Sequence, residues 1–155
     1  MVKEVMRRKA SDNIYLHKDF HGTLSLGLEY LEENYGAEAV REYLRAFACS
    51  YYAPLKEEIR AKGLRVLKER IEQIYKEEGG KVEISFSEEE MVVTVHICPA
   101  VTHIKSQNYR VARLFIETEA TVNEAICEGT PFVAELLWYD KESGSSKTRY
   151  VRRKK

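Results

Sequence analysis

The spacing of apolar residues changes character at Gly79-Gly80, and that change limits the folds open to this chain. Before the pair, apolar residues recur at helical intervals. Leu24, Leu28, Leu31 and Tyr35 fall at i, i+4, i+7 and i+11, one face of a helix that begins near Thr23. Gly36 stands where that helix should stop. A second helix, over about 37–52, carries Val40, Tyr43, Leu44, Phe47 and Tyr51 on one face. Pro54 suits the first turn of a third helix running to about Glu78, with Ile59, Val66, Leu67, Ile71 and Ile74 inward and Gly63 as its weak point.

After the glycine pair the period becomes two. Val82, Ile84 and Phe86 alternate with polar residues, and Met91 to Cys98 is rich in β-branched residues. The two runs predict a hairpin across the polar turn Ser87–Glu90. In its second strand Met91, Val93, Val95 and Ile97 form the core face, and Val92, Thr94, His96 and Cys98 the other. Pro99 ends that strand, because proline cannot donate to the ladder. A loop over 99–108, a fourth helix from about Tyr109 to Glu128, a strand over Phe132–Asp140, a turn at Gly144 and a strand over Lys147–Val151 complete the chain. The order αααββαββ implies an α+β fold: an antiparallel sheet of about four strands packed on one face by four helices. The 155 residues are expected to form one domain, with 1–20 an irregular N-terminal arm and 152–155 a basic tail.

Composition removes several function classes. At 44% hydrophobic and 32% charged residues, with no long apolar run, neither a disordered tail nor a membrane span is expected. The 25 basic and 25 acidic residues cancel, which argues against a nucleic-acid partner. Basic residues do gather at the ends (Lys3, Arg7, Arg8 and Lys9, then Lys147 to Lys155) and read as solvated termini. No apolar stretch follows the charged Met1–Lys9 segment, so a secretory signal is not expected. Cys49, Cys98 and Cys127 are odd in number and widely spaced, which suits a reducing, cytoplasmic setting rather than a disulfide framework.

Chemistry-bearing residues are sparse. His96 and Cys98 stand two apart on a strand and would point the same way, a thiol beside an imidazole that can serve as its base. His103 follows after a predicted loop that can return it to the same spot. This makes Cys98, His96 and His103 the candidate catalytic set; the plainer reading is that Cys98 is a small buried hydrophobe. Cys127, at a helix C-terminus, is disfavoured as a thiolate, and Cys49 reads as core. His17 and His21 stand four apart, so on a helix they would share a face and could bind substrate or metal. Tyr51, Tyr52 and Tyr109 are candidate pocket residues, and Glu117, Glu119 and Glu124 read as a solvated helix face. No phosphate-cradling glycine loop or dinucleotide fingerprint is present.

Three stretches together resemble the L-2-amino-thiazoline-4-carboxylic acid hydrolase family: His17-Lys-Asp-Phe-His-Gly22, Tyr35-Gly36 with Arg41-Glu-Tyr-Leu44, and His96-Ile-Cys98-Pro99 with Cys127 downstream. The likeness covers roughly residues 15–140, and a second, partial one is to vinyl-reductase-like ligand-binding domains. The first resemblance implies hydrolysis of a C–N bond in a cyclic amidine. Cys98 would attack the electrophilic carbon, His96 or His103 would move the proton, and His17, His21 and Tyr109 would bind the substrate. Alternatively the chain is a non-catalytic sensor that binds a small molecule, or a divalent metal through His17, His21, Cys98 and His103. Open sheet edges make a homodimer an expectation as well.

Overall fold

The computed structural model describes residues 17–154, with side chains placed from Phe20 onward. The basic residues before position 10 and most of the expected arm lie outside the described residues. Helix α1 (His17–Tyr35) begins earlier than the apolar period suggested. It meets α2 (Ala37–Tyr51) at Gly36, whose φ of 86° and ψ of 173° suit only glycine. Helix α2 buries Val40, Leu44 and Ala48, spaced four apart, and packs against α1 and a later helix, α6 (Ala120–Cys127). Buried Ser25 fixes α1 to the chain far downstream. Its hydroxyl donates to the Arg110 carbonyl at 2.9 Å and accepts the Ala112 N–H at 2.8 Å.

The expected third helix is two helices. Helix α3 (Ala53–Lys62) stops at Gly63, where φ is 77° and ψ is −165°, and α4 (Arg65–Glu78) restarts after the fully buried Leu64. The corner lets both Ile59 and Leu67 reach the core. Gly79 then closes α4 in the left-handed conformation.

Strands β1 (Lys81–Phe86), β2 (Glu90–Ile97), β3 (Phe132–Tyr139) and β4 (Ser146–Arg152) form one antiparallel sheet in the order β1-β2-β4-β3. Two hairpins thus join through β2 and β4. The registers Met91↔Tyr150, Val93↔Thr148 and Val95↔Ser146 put six buried residues on the face that carries the helices. The fold is the α+β arrangement expected.

Between the hairpins the chain departs from expectation. The segment after Pro99 is not a loop but helix α5 (Pro99–Ser106), with Pro99 in its first turn and Cys98 as its N-cap. A proline that cannot continue a strand is well placed to open a helix. The predicted fourth helix is in fact an irregular stretch, a 3₁₀ turn (Phe115–Thr118) and a short helix α6 (Ala120–Cys127). Among the described residues, no helix is long and apolar enough to cross a membrane.

Candidate functional site

A cavity of about 380 Å³ opens between the helical layer and one end of the sheet. Helix α1 contributes Phe20, His21 and Leu24, and α2 contributes Leu44, Phe47 and Tyr51, with Tyr52 just beyond it. Tyr75 and Glu78 come from α4, and Cys98, Pro99 and Ala100 from the start of α5. Phe115 and Thr118 of the 3₁₀ turn, Glu119, Val122 of α6 and Tyr139 of β3 close the far wall. Seven of the seventeen lining residues are phenylalanine or tyrosine. Phe47 stacks on Tyr51 at 5.3 Å between ring centroids, and Tyr51 meets Tyr52 edge-on at 4.9 Å.

Two β-bulges place the sheet's contributions. In β2, Val82 pairs with Val95 but Lys81 pairs with Ile97, so His96 is an extra residue. The extra residue reverses the alternation that follows. Ile97 turns outward, 46% exposed, and Cys98 turns inward, 7% exposed. In β3, Leu136 pairs with Thr148 but Trp138 pairs with Lys147, so Leu137 is extra. Leu137 and Trp138 both face outward, and Tyr139 reaches the cavity. The turn after β3 secures the first bulge, because Ser145 Oγ donates to the His96 carbonyl at 3.1 Å.

The bulge corrects the expectation that His96 and Cys98 share a face. His96 lies on the outside, its side chain 43% exposed and its Nε2 3.2 Å from Glu83 Oε2. His103 is carried off by α5, since a residue five positions along a helix points about 140° away from the first. It is half-buried and is not in the cavity wall. Tyr109 is 53% exposed and lines a separate cleft with Lys105, Arg110 and Arg113. His17 is helical, but its side chain is outside the described residues. Of the residues singled out from the sequence, the structure brings His21, Cys98, Tyr51 and Tyr52 to one cavity.

His21 Nε2 is hydrogen-bonded to Glu78 Oε2 at 3.0 Å, with the Glu78 side chain only 2% exposed. Among the described residues, no three His, Cys, Asp or Glu side chains converge to hold a metal ion.

Two opposing effects act on Cys98. It caps α5, and the N–H groups of Val101 and Ala100 favour its thiolate. Burial outweighs them and, with the Glu119 and Glu78 carboxylates, pushes the thiol up to about 11. Cys98 is therefore a protonated thiol at neutral pH. Burial likewise holds the Tyr75 and Tyr139 hydroxyls well above the ordinary tyrosine value and raises that of Tyr52, so all three stay donors. The other two cysteines lie elsewhere. Cys49 receives a hydrogen bond from Lys56 Nζ at 3.8 Å, and burial pushes Cys127 up to about 12.

Glu119 is the group that sequence reading missed. Burial among the rings pushes its carboxyl up to about 7, opposed by a hydrogen bond from Asn123 Nδ2 at 3.3 Å to Oε2. It was expected on a solvated helix face. Two positions along a helix turn a side chain by about 200°, so Glu119 and Glu117 point to opposite sides. Glu117 turns to α2, accepting from Arg41 Nε at 3.0 Å and from Thr121 Oγ1 at 2.7 Å, while Glu119 lines the cavity. No model of a known protein family matches this chain, and no curated protein is detectably similar to it.

Proposed function

We propose that the chain is a small-molecule-binding domain whose ligand occupies the cavity between α1, α2, α4 and α6. The carrying observation is the composition of the walls: seven aromatic rings and several aliphatic residues line about 380 Å³ around a few polar groups, Glu119, Cys98 and the His21–Glu78 pair. That volume lies within the range of small-ligand sites, and sparse polar groups in apolar walls are how such sites orient what they bind. The test uses N-phenyl-1-naphthylamine, a neutral dye that brightens in apolar surroundings. It should bind with single-site saturation to the native chain. It should fail to bind Val122→Phe, which places a ring in the cavity, while far-ultraviolet circular dichroism shows that variant folded. Absence of binding to the native chain, or equal binding to both, would overturn the reading.

One observation favours a catalytic version. A carboxyl near 7 can take and return a proton at neutral pH, and Glu119 shares its cavity with the Cys98 sulfur. A hydrolase acting on the C–N bond of a cyclic amidine would use Glu119 for the proton and Cys98 as nucleophile. Release of a primary amine from 2-amino-2-thiazoline-4-carboxylate measures this, because opening the ring C–N bond frees the α-amine and leaves the sulfur bonded. Turnover that survives Cys98→Ala unchanged would remove the nucleophilic role, and no turnover by the native chain would remove the reaction.

A further inference from the structure

The geometry points to an organic cation as the ligand of this cavity: a ring-sized apolar body bearing one protonated nitrogen that sits against Glu119. The inference rests on the cavity being the binding site and adds the charge and size of what enters it.

Three observations carry it. The first is charge. Two carboxylates, Glu78 and Glu119, line the cavity, and among the described residues no lysine or arginine does. Of the nearby arginines, Arg41 pairs with Glu117 and Glu38 and Arg45 with Glu128 and Glu124, while Arg70 lies over the Tyr52 ring at 5.5 Å and is not part of the wall. An anionic ligand would therefore meet two carboxylates and, among the described residues, no lysine or arginine in the cavity wall.

The second is the difference between the two carboxylates. Glu78 is engaged by His21 at 3.0 Å. Glu119 receives one hydrogen bond, from Asn123 to Oε2, and its Oε1 has no hydrogen-bond partner among the described residues. One acceptor is thus left facing the cavity. An ammonium or amidinium N–H supplies both the missing donor and the missing countercharge, and charge-assisted hydrogen bonds are the strong ones.

The third is the walls. Phe47, Tyr52, Tyr75, Phe115 and Tyr139 surround the space. Aromatic faces attract cations, an attraction strengthened where water is excluded. A volume of about 380 Å³ suits one fused or substituted ring system rather than a long chain or a nucleotide.

The test compares three probes of one shape by calorimetric titration at neutral pH: 1-naphthylmethylammonium, the neutral 1-naphthylmethanol and the anionic 1-naphthylacetate. In the native chain the cation should bind at least about tenfold more tightly than the alcohol, and the anion most weakly. In Glu119→Gln the cation should fall to within about threefold of the alcohol, whose own affinity should not move. Equal binding of cation and alcohol to the native chain overturns the inference while leaving the cavity reading intact. So does a cation preference that survives Glu119→Gln. If none of the three binds, the cavity reading fails and takes this inference with it. The native-chain ranking decides the matter even if the variant does not fold.

Discussion

Replacing Gly144 with alanine is expected to be the costliest glycine-to-alanine change near the cavity, and the reason lies in two separable effects. Gly144 has φ of 72°, a conformation that costs an L-residue roughly 1–2 kcal/mol. Its missing side chain also leaves room for the start of α5. A Cβ there would stand 2.5 Å from Val101 Cγ2 and 2.9 Å from the Cβ atoms of both Val101 and Cys98. Two of those three atoms are attached directly to the α5 backbone, so relief requires the helix start to move, and overpacking of this kind costs about 1–3 kcal/mol. Together these give a loss of roughly 2–5 kcal/mol. Gly79 separates the two effects. Its φ is 73°, but nothing lies within 4 Å of a Cβ built there, so Gly79→Ala should show the conformational cost alone. Urea unfolding followed by circular dichroism, with linear extrapolation, measures both. Gly144→Ala should lose at least about 1 kcal/mol more than Gly79→Ala and should weaken binding of the naphthyl probes, because Cys98 and Ala100 form the cavity wall. Equal losses would refute the close packing of the β3–β4 turn under α5.

Three further outcomes follow from the same structure. Glu119 stands at about 7 in the folded chain against 4.5 for an ordinary glutamate, so the cost of ionising it is absent below about pH 4.5 and complete above about pH 7. Stability should therefore fall as pH rises through that window, by on the order of 2 kcal/mol after solvent screening, and Glu119→Gln should remove that fall in paired urea titrations. Cys98, with its thiol at about 11, should react with iodoacetamide about 100-fold more slowly than free cysteine at neutral pH, read by peptide mass spectrometry. A rate matching free cysteine would refute its burial. Lys56 is 9% exposed, and among the described residues its ammonium has no carboxylate partner, only the Cys49 sulfur at 3.8 Å. Lys56→Met should thus raise stability by about 1 kcal/mol, and a lower melting temperature would contradict this.

The sequence made the layers legible because burial writes its period into the chain. Val40 and Leu44 face the core as their spacing required, and so do Met91, Val93 and Val95. Gly63 stood out as a weak point, and it proved to be a full break, since its backbone conformation suits only glycine. The site was harder to read, because it depends on interruptions of the period. An extra residue at His96 or Leu137 leaves no mark on composition, yet each reverses the side chains that follow. Cys98 was thus assigned to the wrong face, with a neighbour the bulge removes from it. Glu119 was hidden for a different reason: the helical period sets it about 200° from Glu117 and about 140° from Glu124, yet an acidic residue in an acidic stretch reads as solvated along with them. Tyr139 and Glu78 carry no local signal at all, because their places depend on elements distant in the chain.

A small molecule should enter the cavity and not the cleft beside Tyr109. Amide ¹H–¹⁵N spectra recorded during titration with 1-naphthylmethylammonium test it most directly. Saturable shifts are expected at Leu44, Phe47, Ala100, Glu119 and Val122, which surround the cavity. Shifts confined to Lys105, Arg110 and Arg113, or none at any concentration, would contradict it.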